Sequence, residues 1–113
     1  MGLFGLERDR QLSTLVRRIN SHVPFEEPLV IAGDFNDWRG RAEHYLHRDL
    51  GVKEVFKTTH GTYARTFPAW LPVLSMDRIY FRGLDVVDCN FLYGQPWHRM
   101  SDHIPLIAEF KLK

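Results

Sequence analysis

Leu29-Val30-Ile31-Ala32-Gly33-Asp34-Phe35-Asn36 is the stretch on which the fold turns. An apolar run meets a glycine and then two polar side chains. The run from Pro28 to Ala32 predicts a short strand, too apolar to be exposed on either face. Residues two apart in a strand point the same way, so the Asp34 carboxylate and the Asn36 carboxamide project from one edge into one space. Gly33 has no side chain and lets a ligand or another backbone come close. Such a strand end is a good place to build a phosphate or metal site.

Upstream, Leu12, Leu15, Val16 and Ile19 form an apolar stripe at helical spacing, which predicts a helix from Glu7 to about His22. Pro24 ends it. Residues 1–6 read as the tail of a strand or a loop. Downstream, Asp37 to Arg41 is a loop, and a helix is expected from Ala42 to Leu50 with Gly51 as its stop. Val52 to Phe56 is ambiguous, and Lys57 to Gly61 reads as a turn-rich loop. Tyr63 to Phe67 looks like a strand fragment closed by Pro68, followed by an apolar loop to Pro72. Met76 to Phe81 is a strand, Arg82-Gly83 a tight turn, and Leu84 to Tyr93 a second strand, so a hairpin is expected. Gly94 to Ser101 is a loop holding Trp97 and His98. Ile104 to Leu112 alternates apolar and polar residues and forms the last strand.

The totals restrict the function class. A chain of 113 residues is a single domain at most, with a modest core. The formal net charge of +1 exerts no long-range pull on nucleic acid or membranes. A local basic patch stays open, with Arg39, Arg41, Arg65, Arg78 and Arg99 as its candidates. The single cysteine, Cys89, excludes an internal disulfide and a cysteine-based zinc site, and fits a reducing, cytoplasmic setting. No apolar run approaches the roughly 20 residues needed to span a bilayer.

Three polar pieces sit at strand ends or beside them: Asp34 and Asn36, Asp77, and Ser101-Asp102-His103 just before the last strand. A carboxylate among apolar neighbours is costly unless paired or metal-bound. Asp102 and His103 are adjacent, so on extended backbone one could reach a metal while the other reaches a phosphate. Carboxylate and carboxamide oxygens without cysteine suit a hard cation, Mg2+ or Mn2+. Glu43, His44 and His47 also have a spacing that could hold a metal, but with no further ligand nearby in sequence they read as a solvated helix face.

In their order and rough spacing, Gly33-Asp34-Phe35-Asn36, Met76-Asp77-Arg78-Ile79 and Ser101-Asp102-His103 resemble the C-terminal half of the endonuclease/exonuclease/phosphatase superfamily. That superfamily includes deoxyribonuclease I, abasic-site endonucleases, sphingomyelinases and inositol polyphosphate phosphatases. Thr66-Phe67-Pro68 and the stretch from Pro72 to Tyr80 are similar to uncharacterised bacterial members. The resemblance implies an α/β (α+β) fold, the C-terminal half of a deoxyribonuclease I-like sandwich of two mostly antiparallel or mixed sheets with helices outside. It implies that residues 1–113 form one partial domain. By the same resemblance, Asp34 orients or deprotonates the attacking water, Asn36 holds a phosphate oxygen or the nucleophile, and Asp102 contributes to the metal site. His103 donates a hydrogen bond to the scissile phosphate, and Asp77 fixes its tautomer and orientation. Arg39 and Arg41 are candidate phosphate ligands, and Trp97 and His98 candidates for the mouth of the site.

The expected activity is Mg2+- or Mn2+-dependent hydrolysis of a phosphoester, whether nucleic acid, phospholipid headgroup or small molecule, by in-line attack of metal-activated water. Family domains are about twice this long, and their N-terminal half supplies a metal-binding Asn and Glu and a further catalytic His or Tyr. Those motifs are not in this sequence. The alternative is therefore a catalytically inert, truncated relative that acts as a structural module. Either way, half a sandwich leaves an apolar sheet face bare, and self-association is expected.

Overall fold

The computed structural model describes residues 2–35, 41–72, 74–94 and 96–113, without the side chains of residues 2–9, 41, 42 and 98. Its elements are α1 (Gly2–His22), β1 (Leu29–Asp34), α2 (Arg41–Leu50), β2 (Lys53–Glu54), α3 (Val55–His60), β3 (Asp77–Arg82), β4 (Leu84–Phe91), α4 (Trp97–Met100) and β5 (Leu106–Leu112). One sheet has the order β1-β3-β2 and the other pairs β4 with β5, all antiparallel. The fold is mixed α and β with antiparallel sheets, as expected for half of a deoxyribonuclease I-like sandwich. None of the described helices is long and apolar enough to cross a membrane.

Alternation along the strands sorts two cores. In β3, Arg78, Tyr80 and Arg82 are buried on one face, while Ile79 and Phe81 lie on the other. The first face is covered by α1 and α2. Leu12 and Val16 of α1, Leu46 and Leu50 of α2, Val52, Phe35 and Tyr80 form that core, with Leu29 and Ile31 packed against it. The second face meets the other sheet. Ile79, Phe81, Val86, Leu106, Ala108 and Phe110 surround the buried Val55, Phe56, Ala64 and Cys89 there.

Two buried charges hold the elements in place. The Arg82 guanidinium donates to three backbone carbonyls: Nε to Glu27 (2.9 Å), Nη1 to Leu50 (2.7 Å) and Nη2 to Pro24 (3.0 Å). It thereby ties β3 to the connector after α1 and to the C-terminal end of α2, where a cation also meets the helix dipole. Glu54 works at the junction of β2 and α3. One carboxylate oxygen caps α3 by accepting from Lys57 N (2.8 Å), and the other accepts from Ile79 N of β3 (3.1 Å). The side chain takes over as partner to β3 where the β2 backbone turns away. Burial pushes the Glu54 carboxyl up from its ordinary range, and these backbone N–H groups oppose the shift.

Several sequence expectations are corrected. Residues 2–6 are helical, because glycine weakens a helix by only about 1 kcal/mol and the packed turns at Leu12 and Val16 propagate the ladder back. Residues 57–60 belong to α3, not a loop: Glu54 caps it, Val55 and Phe56 anchor it, and Gly61 closes it in the left-handed conformation (φ 84°). Tyr63 to Phe67 forms no strand beyond one isolated bridge, Phe67 to Leu74. The expected hairpin does not form, since β3 is already paired on both edges and β4 has no place beside it. Gly83 instead carries the chain into the second sheet at φ 72°, where a Cβ would come within 3.1 Å of the Pro28 backbone. The loop before Ser101 contains the short helix α4. Strand β1 is not buried on both faces: Leu29 and Ile31 pack inward, while Val30 is 45% exposed. Arg78, a candidate for a surface basic patch, is buried, with its guanidinium 3.9 Å from the centre of the Tyr63 ring.

Arg82→Lys keeps the charge and removes the fork, so at least two of the three carbonyls lose their donor. A stability loss of about 2–4 kcal/mol is expected in urea denaturation. Glu54→Gln turns an amide NH2 toward a backbone N–H, and the same measurement should show a loss of about 1–3 kcal/mol.

Candidate active site

The register of β1 against β3 builds the site. Leu29 pairs with Arg82, Ala32 with Ile79, and at the far end Asp34 with Asp77. Phe35 N extends this pairing by donating to Met76 O (2.7 Å), and the buried Phe35 ring packs edge-on against Tyr80 with centroids 5.2 Å apart. With Phe35 anchored in the helix-side core, Asp34 falls on the opposite face, beside Asp77.

His103 comes to the same place from the loop before β5. Its Nδ1 lies 2.5 Å from Asp77 Oδ2, and its Nε2 lies 3.8 Å from Asp34 Oδ2. A carboxylate only accepts hydrogen bonds, so the bond to Asp77 places a proton on His103 Nδ1. The ring is then oriented by one acid and directs its other nitrogen toward the second. All three side chains remain partly exposed, so a solute can reach them. Asp34, Asp77 and His103 place one potential ligand atom each within 4.8 Å of one another, an arrangement that can hold a metal ion. Beside them, Ala32, Gly33, Ile79, Ile104 and Leu106 help line a cleft of about 350 Å³ that also includes Asp77 and His103. A Cβ built on Gly33 meets no atom within 4 Å, so internal packing does not require glycine there and the space before it is open.

The other expected residues divide. Asp102 is exposed, and its carbonyl accepts from Ala69 N (2.7 Å). Trp97 opens α4 and is partly buried, but it is not among the described residues that line the cleft. Asn36 and Arg39 lie outside the described residues, as do the side chains of Arg41 and His98. Glu43, His44 and His47 line a separate cleft of about 490 Å³ with Lys53, Lys57 and Thr58. There Glu43 accepts from Lys57 Nζ at 2.8 Å and from the Tyr63 hydroxyl. Burial alone would raise the Glu43 carboxyl, but these bonds outweigh it and hold it low, so Glu43 is committed to its neighbours. The supporting residues Phe35, Thr66 and Phe67 were not expected at the site. Phe35 lies between Asp34 and Asn36, and Thr66 and Phe67 in a stretch similar to bacterial members, but neither signal separates a site support from ordinary core packing.

The sequence is similar to the uncharacterized protein YbhP of Escherichia coli (strain K12) and of Shigella flexneri, at 42% identity over 112 residues that make up 99% of this chain and 44% of each relative. It is 37% identical over 106 residues to a UPF0294 protein of Yersinia pestis, covering 90% of this chain and 35% of that protein. The chain thus spans less than half the length of these curated relatives. No solved structure matches it. The Endonuclease/Exonuclease/phosphatase family matches residues 4–103, from α1 through the Asp34, Asp77 and His103 segments, and the chain belongs to that family.

Proposed function

We propose that this chain carries the acid–imidazole part of a divalent-metal-dependent phosphoesterase site that hydrolyses by in-line attack of water. The observation that carries this reading is the arrangement of His103 between Asp77 and Asp34, with Nδ1 at 2.5 Å from one and Nε2 at 3.8 Å from the other. Asp77 holds the imidazole with Nε2 toward the cleft, where the ring, once it carries a proton on both nitrogens, donates to a non-bridging phosphate oxygen as charge develops. Asp34 accepts the proton of the attacking water or orients it. Asn36, one residue beyond Phe35, contributes a carboxamide to the phosphate or the nucleophile. Arg39, Arg41, Trp97 and His98 are assigned to substrate binding. The substrate class stays at phosphoester, covering nucleic acid, phospholipid headgroups and small molecules.

The donor set is compatible with Mg2+ or Mn2+. Such ions take one or two carboxylates and leave the remaining positions to water and phosphate. Asp34 and Asp102 are exposed carboxylates, whereas Asp77 is engaged with His103. Asp102 is assigned as the metal ligand of this chain. When bound, the ion would neutralise phosphate charge and lower the pKa of a bound water.

Purified chain should hydrolyse bis-p-nitrophenyl phosphate with Mg2+ or Mn2+ and stop on chelation. Asp34→Ala and His103→Ala should each lower turnover by about 10²- to 10⁴-fold. Turnover by full-length YbhP under the same conditions, with none from this chain, overturns the assignment of activity to the chain alone and favours the inert structural module.

Self-association with a second copy belongs to the same reading. Among the described residues β1 and β5 each pair on one side only, and Val30, Phe91, Ile107 and Leu112 are exposed. Exposed strand edges with apolar side chains are surfaces with which a second copy can pair. Light scattering should give at least twice the 13.3 kDa of one chain, and a clean monomer overturns this.

A further inference from the structure

Thr66 is fully buried at the point where the strand that carries Asp77 and the loop that carries His103 come together. Its hydroxyl oxygen accepts from Asp77 N (3.2 Å), and its backbone carbonyl accepts from Ile104 N (2.8 Å). One residue therefore holds both the backbone of the acid and the backbone next to the imidazole. Its own N–H donates to Leu74 O (2.8 Å), and the Phe67–Leu74 bridge fixes the segment from the other side. Phe67 then lays its ring against the His103 imidazole, with centroids 5.0 Å apart and planes at 50°. Two residues further on, Ala69 N donates to Asp102 O (2.7 Å), which pins the loop a second time.

We propose that Thr66 and Phe67 are the positioning residues of the Asp77–His103 pair: Thr66 sets the distance between the two backbones, and Phe67 sets the plane of the ring. This rests on the proposed function for its purpose, although the geometry is independent of it. His103 sits on a loop and has several rotamers open to it. A backbone held at Ile104 and a ring wall at Phe67 leave Nδ1 facing Asp77. Thr66 is placed to act on both partners at once, so its removal should loosen their bond without touching either side chain. Residues supporting an ordered site act by this restriction of geometry, where small displacements have large effects.

The test reads the imidazole directly. Long-range ¹H–¹⁵N spectra of the full chain report whether the proton of the neutral His103 ring sits on Nδ1 or Nε2. Wild type should show the Nδ1–H form, and Asp77→Asn should lose it. Thr66→Val keeps the shape and removes the acceptor, so it should give a mixture of the two forms, whereas Thr66→Ser should restore the wild-type spectrum. Phe67→Leu leaves every hydrogen bond in place and carries the test if Thr66→Val does not fold; it too should give a mixture. Unchanged Nδ1–H populations in Thr66→Val and Phe67→Leu, with loss in Asp77→Asn, overturn the proposal. A wild-type ring without the Nδ1–H form overturns it together with the pairing. A preserved Nδ1–H form in a chain without turnover leaves the positioning roles standing and counts only against the phosphoesterase reading.

Discussion

The site depends on one unfavourable pairing. β1 and β3 are in a register that sets Asp34 opposite Asp77, and like charges facing each other across a strand pair repel. A shift of one residue would relieve that repulsion, but it would also turn Leu29, Ile31 and Phe35 out of the helix-side core. Apolar burial therefore fixes a register that electrostatics opposes. The His103 imidazole within reach of both acids, and the solvent that reaches all three, are what make the pairing tolerable. Such a cluster is held together by the rest of the fold and is available to a ligand.

The support for that register comes from groups with little sequence signal. Arg82 and Glu54 are charged and would be placed on the surface by composition alone, yet both are buried and spend their hydrogen bonds on backbone. The charge of Arg82 is met by three carbonyls, one of them at the end of α2. Glu54 ends a strand and starts a helix with the same carboxylate. These two side chains fix both sides of β3, the strand whose first residue is Asp77.

Much of the site could be read from the sequence because its polar residues follow or precede strong apolar runs. Asp34 ends β1, Asp77 begins β3, and His103 sits just before β5, as the patterns around Leu29–Ala32, Ile79–Phe81 and Leu106–Phe110 indicate. The path between elements was less legible. Arg82-Gly83 has the composition of a hairpin turn, but whether β4 joins β3 depends on β3 having a free edge, and β1 and β2 come from residues up to about fifty positions earlier. Helix α3 was missed for a similar reason. Its stop, Gly61, is visible, while its start is a glutamate whose second role lies at Ile79. Thr66 and Phe67 read as the end of a strand fragment, since their partners Asp77, Ile104 and His103 are distant in sequence.

Charge gives the last step. Asp34 and Asp77 carry two negative charges around a single imidazole, and the whole chain carries a formal net charge of only +1. Two unit charges 4 Å apart near a protein surface interact by about 4 kcal/mol. A phosphate anion approaching Asp34 and Asp77 unaided is therefore repelled by more than His103 alone can return, even when protonated. In the proposed reaction, a cation would therefore have to meet Asp34 and Asp77 ahead of the phosphoester. That order is why a divalent ion belongs in the proposed reaction.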